Sequence, residues 1–144
     1  MPDILIRPLK STDLASLLPL IDTLGYEASP GEIARRLSAL LERDDHLVLA
    51  AQVKDEVLGF LHAFERRCLE KPATLVVQAI AVSPKTQGLG LGKRLMAEAE
   101  QQARDRQMEG VSLSSRIDRS GAHAFYERLG YERTATSHFF AKML

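Results

Sequence analysis

Ala81-Val82-Ser83-Pro84-Lys85-Thr86-Gln87-Gly88-Leu89-Gly90-Leu91-Gly92-Lys93-Arg94-Leu95-Met96 is the stretch from which the fold is read. An apolar strand runs into glycines, and the glycines open a strongly helical segment. Glycine lets the backbone approach a ligand closely. The first N–H groups of a helix have no intrahelical acceptor and carry the positive end of the helix dipole, so they point at an anion placed there. The segment therefore reads as a cradle for a pyrophosphate.

Two common phosphate motifs are excluded by spacing. A Walker A loop needs a glycine where this chain has Gln87 and a Ser or Thr where it has Arg94. A dinucleotide fingerprint counted from Gly88 meets Lys93 at its third glycine, and counted from Gly90 it meets Leu95.

What remains is Gln87-x-x-Gly90-x-Gly92 after a strand ending Ile80-Ala81-Val82. A second segment, Ala122-His123-Ala124-Phe125-Tyr126-Glu127-Arg128-Leu129-Gly130-Tyr131, follows at a suitable distance. The first resembles the coenzyme A pyrophosphate loop of the GNAT superfamily of N-acetyltransferases, and the second resembles that family's Ala-x-x-Phe-Tyr-Glu-x-x-Gly helix. The opening Ile6-Arg7-Pro8-Leu9 with Asp13-Leu14 is similar to the family's start, so the resemblance spans essentially the whole chain.

Composition fits such a small-molecule enzyme. At 144 residues and 45% hydrophobic content, one domain over residues 1–144 would bury roughly 68–70% of its unfolded surface. Lysine plus arginine equals aspartate plus glutamate at 19 each, which gives no net field toward nucleic acid or an anionic membrane. No apolar run approaches the ~20 residues of a membrane span, and Met1-Pro2-Asp3 lacks the basic start of an export signal, so a cytoplasmic protein is expected. Cys68 is the sole cysteine and is read as a buried or incidental thiol. The scattered histidines have no metal-ligand spacing, and no metal is expected.

The element pattern agrees. Ile4–Pro8 reads as a strand. Ser11, Thr12 and Asp13 offer N-caps to a helix carrying Leu14, Leu17, Leu18 and Ile21, which Pro19 should bend or interrupt. Ser29-Pro30-Gly31-Glu32 is a capping box before Ile33, Leu37, Leu40 and Leu41. Leu47–Val53 and Val57–Phe64 suggest a hairpin across Lys54-Asp55-Glu56. Ala73–Val82 suits a central strand buried on both faces. A helix over 88–108 carries a Leu91, Leu95, Ala99, Ala103 stripe; Val111–Ser115 is a short strand; Ser120 can cap a last helix that ends at Gly130; and His138–Leu144 closes the sheet. The expected fold is α/β (α+β): a central mixed, mostly antiparallel sheet of six to seven strands flanked by about four helices.

The resemblance implies acetyl-CoA as cosubstrate and a homodimer as an allowed state. It implies that main-chain N–H groups of Gln87, Gly88, Leu89, Gly90, Leu91, Gly92 and Lys93 cradle the pyrophosphate. It implies too that Ile80 and Val82 offer main-chain groups to the pantetheine arm, with the Val82 N–H reaching the thioester oxygen. Arg119 stands where many relatives carry asparagine, so that coenzyme contact is left open. Tyr126 is the candidate general acid, because a phenol is protonated at neutral pH and can give its proton to a departing thiolate. The base is not readable: Val76-Val77-Gln78 offers no carboxylate, and His62 and Glu65 are candidates for a base or a water relay, with Glu70 beside them. Arg66-Arg67 either suits an acceptor bearing an acid or phosphonate or is merely solvated. The expected activity is acetyl transfer from acetyl-CoA to a primary amine of a small molecule, by direct attack through a tetrahedral intermediate. The alternatives are a protein N-terminal or lysine acetyltransferase, and a non-catalytic acyl-CoA-binding sensor module.

Overall fold

A computed structural model describes residues 3–116 and 119–144; Met1 and Pro2, on which the expectation about an export signal partly rests, lie outside them. Its contacts divide the chain into two compact units, Met1–Leu113 and Ser114–Leu144.

The first unit is built on one five-stranded sheet. The strands β1 (Ile4–Pro8), β2 (His46–Val53), β3 (Glu56–Arg66), β4 (Thr74–Val82) and β5 (Gly110–Leu113) lie in that order. Neighbours are antiparallel except β4 and β5, which are parallel. A two-residue turn at Lys54-Asp55 makes the β2–β3 hairpin, with Lys54 taking the positive φ of 55° that such tight turns require.

Helices cover both faces. On one, α1 (Leu14–Thr23) and α2 (Pro30–Leu41) bring Leu17, Leu20, Ile33 and Leu37 against Val48, Ala50, Val57, Phe60 and Ala81. Each such leucine or isoleucine, fully buried, contributes about 1.5–3 kcal/mol. On the other, α3 (Leu91–Asp105) buries Leu91, Leu95, Met96, Ala99 and Ala103, the expected stripe widened by Met96. Gly59 makes room for it: a Cβ there would stand 3.4 Å from Leu95 Cδ1 and 3.3 Å from the Ala81 carbonyl oxygen. The second unit holds α4 (Ser120–Arg128), followed at Gly130 by a left-handed residue, φ 93°.

Several expectations are corrected. The sheet has five strands among the described residues, not six to seven, because residues 138–144 form no strand there. That segment exposes Phe139, Phe140, Met143 and Leu144; apolar character does not make a strand without a ladder partner. Pro19 does not interrupt α1, whose buried Leu17 and Leu20 flank it and hold the turn against the sheet. The helix after the glycines starts at Leu91 rather than Gly88, since Gly88 and Gly90 adopt left-handed φ of 87° and 78°. Ser120 is the first residue of α4 and makes no cap; Arg119 stands at that position.

The Ser29 capping box forms as expected, with Ser29 N–H to Glu32 Oε1 at 2.9 Å and Glu32 N–H to Ser29 Oγ at 3.2 Å. Asp13 does something different. It makes no side-chain cap; its carboxylate receives Arg7 Nη1 and Nη2 at 2.9 and 3.0 Å and the Lys10 N–H at 2.8 Å. Arg7 Nε also donates to Gln52 Oε1 at 2.8 Å, which ties β1, β2 and the entry to α1 together.

Candidate active site

The end of β4 and the start of α3 are built by a turn whose parts are local. Ser83 caps a short 3-10 turn over Pro84–Thr86, with Pro at its first position, where the missing N–H costs nothing. The Ser83 carbonyl accepts both the Thr86 N–H, at 3.0 Å, and Thr86 Oγ1, at 2.8 Å. Thr86 is buried, and its own carbonyl takes the Leu89 N–H at 3.0 Å. Leu89 is thereby committed to the turn, while Gln87, Gly88 and Gly90 stand exposed around it.

The helix entry matches an anion site. Gly90 is the N-cap in left-handed conformation and supplies no capping side chain. The Arg94 N–H closes the first intrahelical bond, to the Gly90 carbonyl at 3.0 Å. Leu91, Gly92 and Lys93 are thus the first helical residues, whose N–H groups point out of the helix end. Nothing lies within 4 Å of a Cβ built on Gly88 or Gly90.

Beyond Val77 the edge of β4 that leads into this loop has no paired strand among the described residues. The ladder with β5 runs from Thr74–Gly110 to Val77–Leu113 and ends there. On the other side β4 pairs with β3 as far as Val82 opposite Gly59, with Gln78 bulged out between the Val77 and Ala79 pairings. The Ser83 N–H donates to the Leu58 carbonyl of β3 at 2.8 Å. Successive residues of a strand alternate the side toward which their N–H and C=O point, so Val82 and Ile80 direct theirs away from β3, over the open edge.

The base candidates lie on opposite faces of β3, three residues apart. Glu65 Oε2 receives Arg106 Nη1 at 2.9 Å and its Oε1 receives Arg67 Nη2 at 3.1 Å. His62 stands beside Val48 and Ala79, on the face covered by α1 and α2. Its Nε2 is 2.9 Å from His46 Nδ1, and the two rings stack at 5.1 Å, with Phe64 stacked on His46 at 5.5 Å. Burial, helped by the neighbouring His46, lowers the His62 pKa from 6.5 to about 4, so the ring is neutral at pH 7. Sequence reasoning missed His46. Glu70 is an exposed loop residue.

Arg66 and Arg67 are not one exposed pair. Arg67 is exposed and ion-paired to Glu65. Arg66 is half-buried and its Nε is buried.

Tyr126 belongs to the second unit, in the last turn of α4, with Phe125 and Tyr131 edge-on to its ring at 5.3 and 6.2 Å. Burial raises its pKa, against a smaller opposing effect of the Arg119 charge, so the phenol keeps its proton at neutral pH. Phe125 and Leu129 are partly buried.

Comparison with known proteins bears on the family and the fold. The model of the Acetyltransferase (GNAT) family matches residues 14–131. An aminoalkylphosphonate N-acetyltransferase of Salmonella typhimurium is 32% identical over 100% of this chain and 94% of its own length. An aminoglycoside N-acetyltransferase in complex with CoA superposes with a TM-score of 0.90 at 18% identity, covering 100% of this chain and 97% of that one. Aminoglycoside 6'-N-acetyltransferase from Acinetobacter haemolyticus does so at 0.86 and 22%, covering 97% and 99%. At those identities the two structures speak for the fold.

Proposed function

This chain belongs to the GNAT family as an acetyl-CoA-dependent N-acetyltransferase, and from that premise we propose that its acceptor is the primary amine of a small molecule. One observation carries the reading: the β4 edge left open beyond Val77 runs straight into a left-handed glycine loop at a helix start. An extended amide chain fits the edge as an added strand, and a pyrophosphate fits the helix end. The small acceptor is supported by the aminoalkylphosphonate relative, whose length this chain matches.

In this reading Ile80 and Val82 bind the pantetheine arm, and main-chain N–H groups from Gln87 to Lys93 surround the pyrophosphate, with Leu89 holding the loop's shape instead of donating. The amine nitrogen attacks the thioester carbonyl carbon, and the oxyanion that forms is stabilised by the Val82 N–H. The C–S bond breaks as the oxyanion collapses, and the thiolate takes the Tyr126 proton. The amine's surplus proton leaves through water. Neutral His62 assists by accepting a hydrogen bond, while Glu65, held by two arginines, keeps a structural role. We place the reaction in the cytoplasm and the protein in a homodimer, whose mass light scattering would check.

The test is thiol release from acetyl-CoA across aminoalkylphosphonates, aminoglycosides, polyamines, amino acids and peptides. Transfer to small amines is the expected result. Transfer confined to peptide N-termini or lysines would overturn the acceptor, and tight CoA binding with no transfer to any amine would make the protein a sensor.

A further inference from the structure

The two histidines of the first unit's sheet, His46 on β2 and His62 on β3, hydrogen-bond to each other. His62 Nε2 and His46 Nδ1 are 2.9 Å apart, and among the described residues neither ring makes another hydrogen bond. The register explains why they meet: His46 pairs with Phe64 and Val48 with His62, so the two rings are diagonal neighbours on one face. Stacking holds their planes. The His46 ring lies 5.1 Å from His62 and 5.5 Å from Phe64, inclined by 23° and 25°. The outer nitrogens, His62 Nδ1 and His46 Nε2, are not sealed in, since Arg66 Nε is the one buried side-chain nitrogen or oxygen without a partner among the described residues.

A neutral imidazole carries one N–H and one bare nitrogen. The contact between two neutral rings therefore has two forms. In one, His62 Nε2–H donates to His46 Nδ1, and each ring has its proton on Nε2. In the other, His46 Nδ1–H donates to His62 Nε2, and each ring has its proton on Nδ1. A neutral histidine left to itself favours the Nε2–H tautomer, so the first form costs neither ring anything and the second costs both. The first form also leaves His62 Nδ1 bare. Burial keeps that ring neutral at pH 7, so the lone pair stays available as an acceptor.

We propose that His46 is a positioning residue: by accepting the His62 Nε2–H it holds His62 in the tautomer whose bare Nδ1 accepts a hydrogen bond from the water that carries off the amine's surplus proton. The role rests on the acetyl transfer to a small amine proposed above. His62 itself touches no reacting atom. It stands opposite Ala79, three positions along β3 from Gly59, the partner of Val82, about 10 Å at the usual strand rise. Water has to cover that span, and the tautomer at its end sets the direction of the chain. A water that donates to a bare nitrogen keeps its own lone pairs for the next donor toward the ammonium, whereas an N–H in that place would turn the chain round.

Two measurements on the full chain test this. In isotope-labelled protein at about pH 8, where imidazole is neutral, nitrogen–proton correlation NMR should show both rings as Nε2–H, with His62 Nδ1 bare. A His62 protonated at Nδ1 instead would overturn the proposal whatever the kinetics show. His46→Leu, which cannot accept the bond, should release His62 to a mixture of tautomers and lower kcat by about 2- to 10-fold, the worth of one ordinary hydrogen bond, with KM for acetyl-CoA unchanged. His46→Asn sets an amide oxygen where Nδ1 stands, so it should keep both the tautomer and the rate. Joined to His62→Ala, His46→Leu should add no further loss, because it acts only through that ring. An Asn variant no better than the Leu variant, or losses that multiply in the double variant, would also overturn the proposal while the small-amine function stands. A wild type that acetylates no small amine brings down both. If His46→Leu does not fold, the wild-type spectrum still decides.

Discussion

In the proposed mechanism Tyr126 acts through one hydroxyl, which burial keeps protonated at neutral pH. Tyr126→Phe removes the acid and little else, so kcat should fall by about 10²-fold or more with CoA affinity unchanged. A melting point that drops while kcat stays within a factor of a few would make the residue structural. The base candidates predict a milder outcome. With deprotonation through water, His62→Ala and Glu65→Gln should each cost less than about 10²-fold in kcat/KM. Glu65→Gln should lower the melting temperature as well, because Arg106 loses its partly buried partner. A loss of several thousandfold from either variant, in a protein that still binds CoA, would reveal a dedicated base.

The element proposed to carry cosubstrate binding is the loop between β4 and α3. Gly90 combines a φ of 78° with open space where a side chain would stand, so Gly90→Glu sets backbone strain and a negative charge against the pyrophosphate without a packing clash. Wild type should gain about 2.7 kcal/mol from CoA at a hundredfold excess over its dissociation constant, read as a thermal shift. Gly90→Glu should lose that shift. Gln101→Glu, on the exposed side of α3, should keep it, although the new charge faces Asp105, which Gln101 now bonds at 2.9 Å. Equal shifts in the two variants would remove the loop from the coenzyme site.

For the whole molecule, two partly buried groups contribute to the acid limb of stability. His62 falls from 6.5 to about 4 on folding, so between those values the unfolded chain binds more protons and stability rises with pH. Asp13 is held below its ordinary 3.8, chiefly by the hydrogen bonds from Arg7, so its contribution is complete above that value and lost as pH falls through the lowered one. Denaturant titrations at pH 4 to 7 should show a slope that His62→Gln removes. Asp13→Asn should cost about 1.5–3 kcal/mol at pH 7, the usual loss for a hydrogen bond to a charged group, with a smaller difference at pH 3. No slope in wild type would mean that His62 is not buried as described. Local chemistry was legible from the chain: the Ser29 capping box, the α3 stripe and the glycine loop depend on neighbours a few residues apart. The site's other half was not. Two bulges, at Leu58 in β3 and Gln78 in β4, shift the strand registers. Counted without a bulge from the Lys54-Asp55 turn, His46 and His62 fall on opposite faces; with it they meet at 2.9 Å. Arg66 and Arg67 adjoin in sequence, yet Arg66 lies half-buried on the sheet face that carries His62, while Arg67 turns to Glu65. A one-residue slip reverses every side chain beyond it, and where the slip occurs is decided by ladder pairing and packing between strands rather than by any window of sequence.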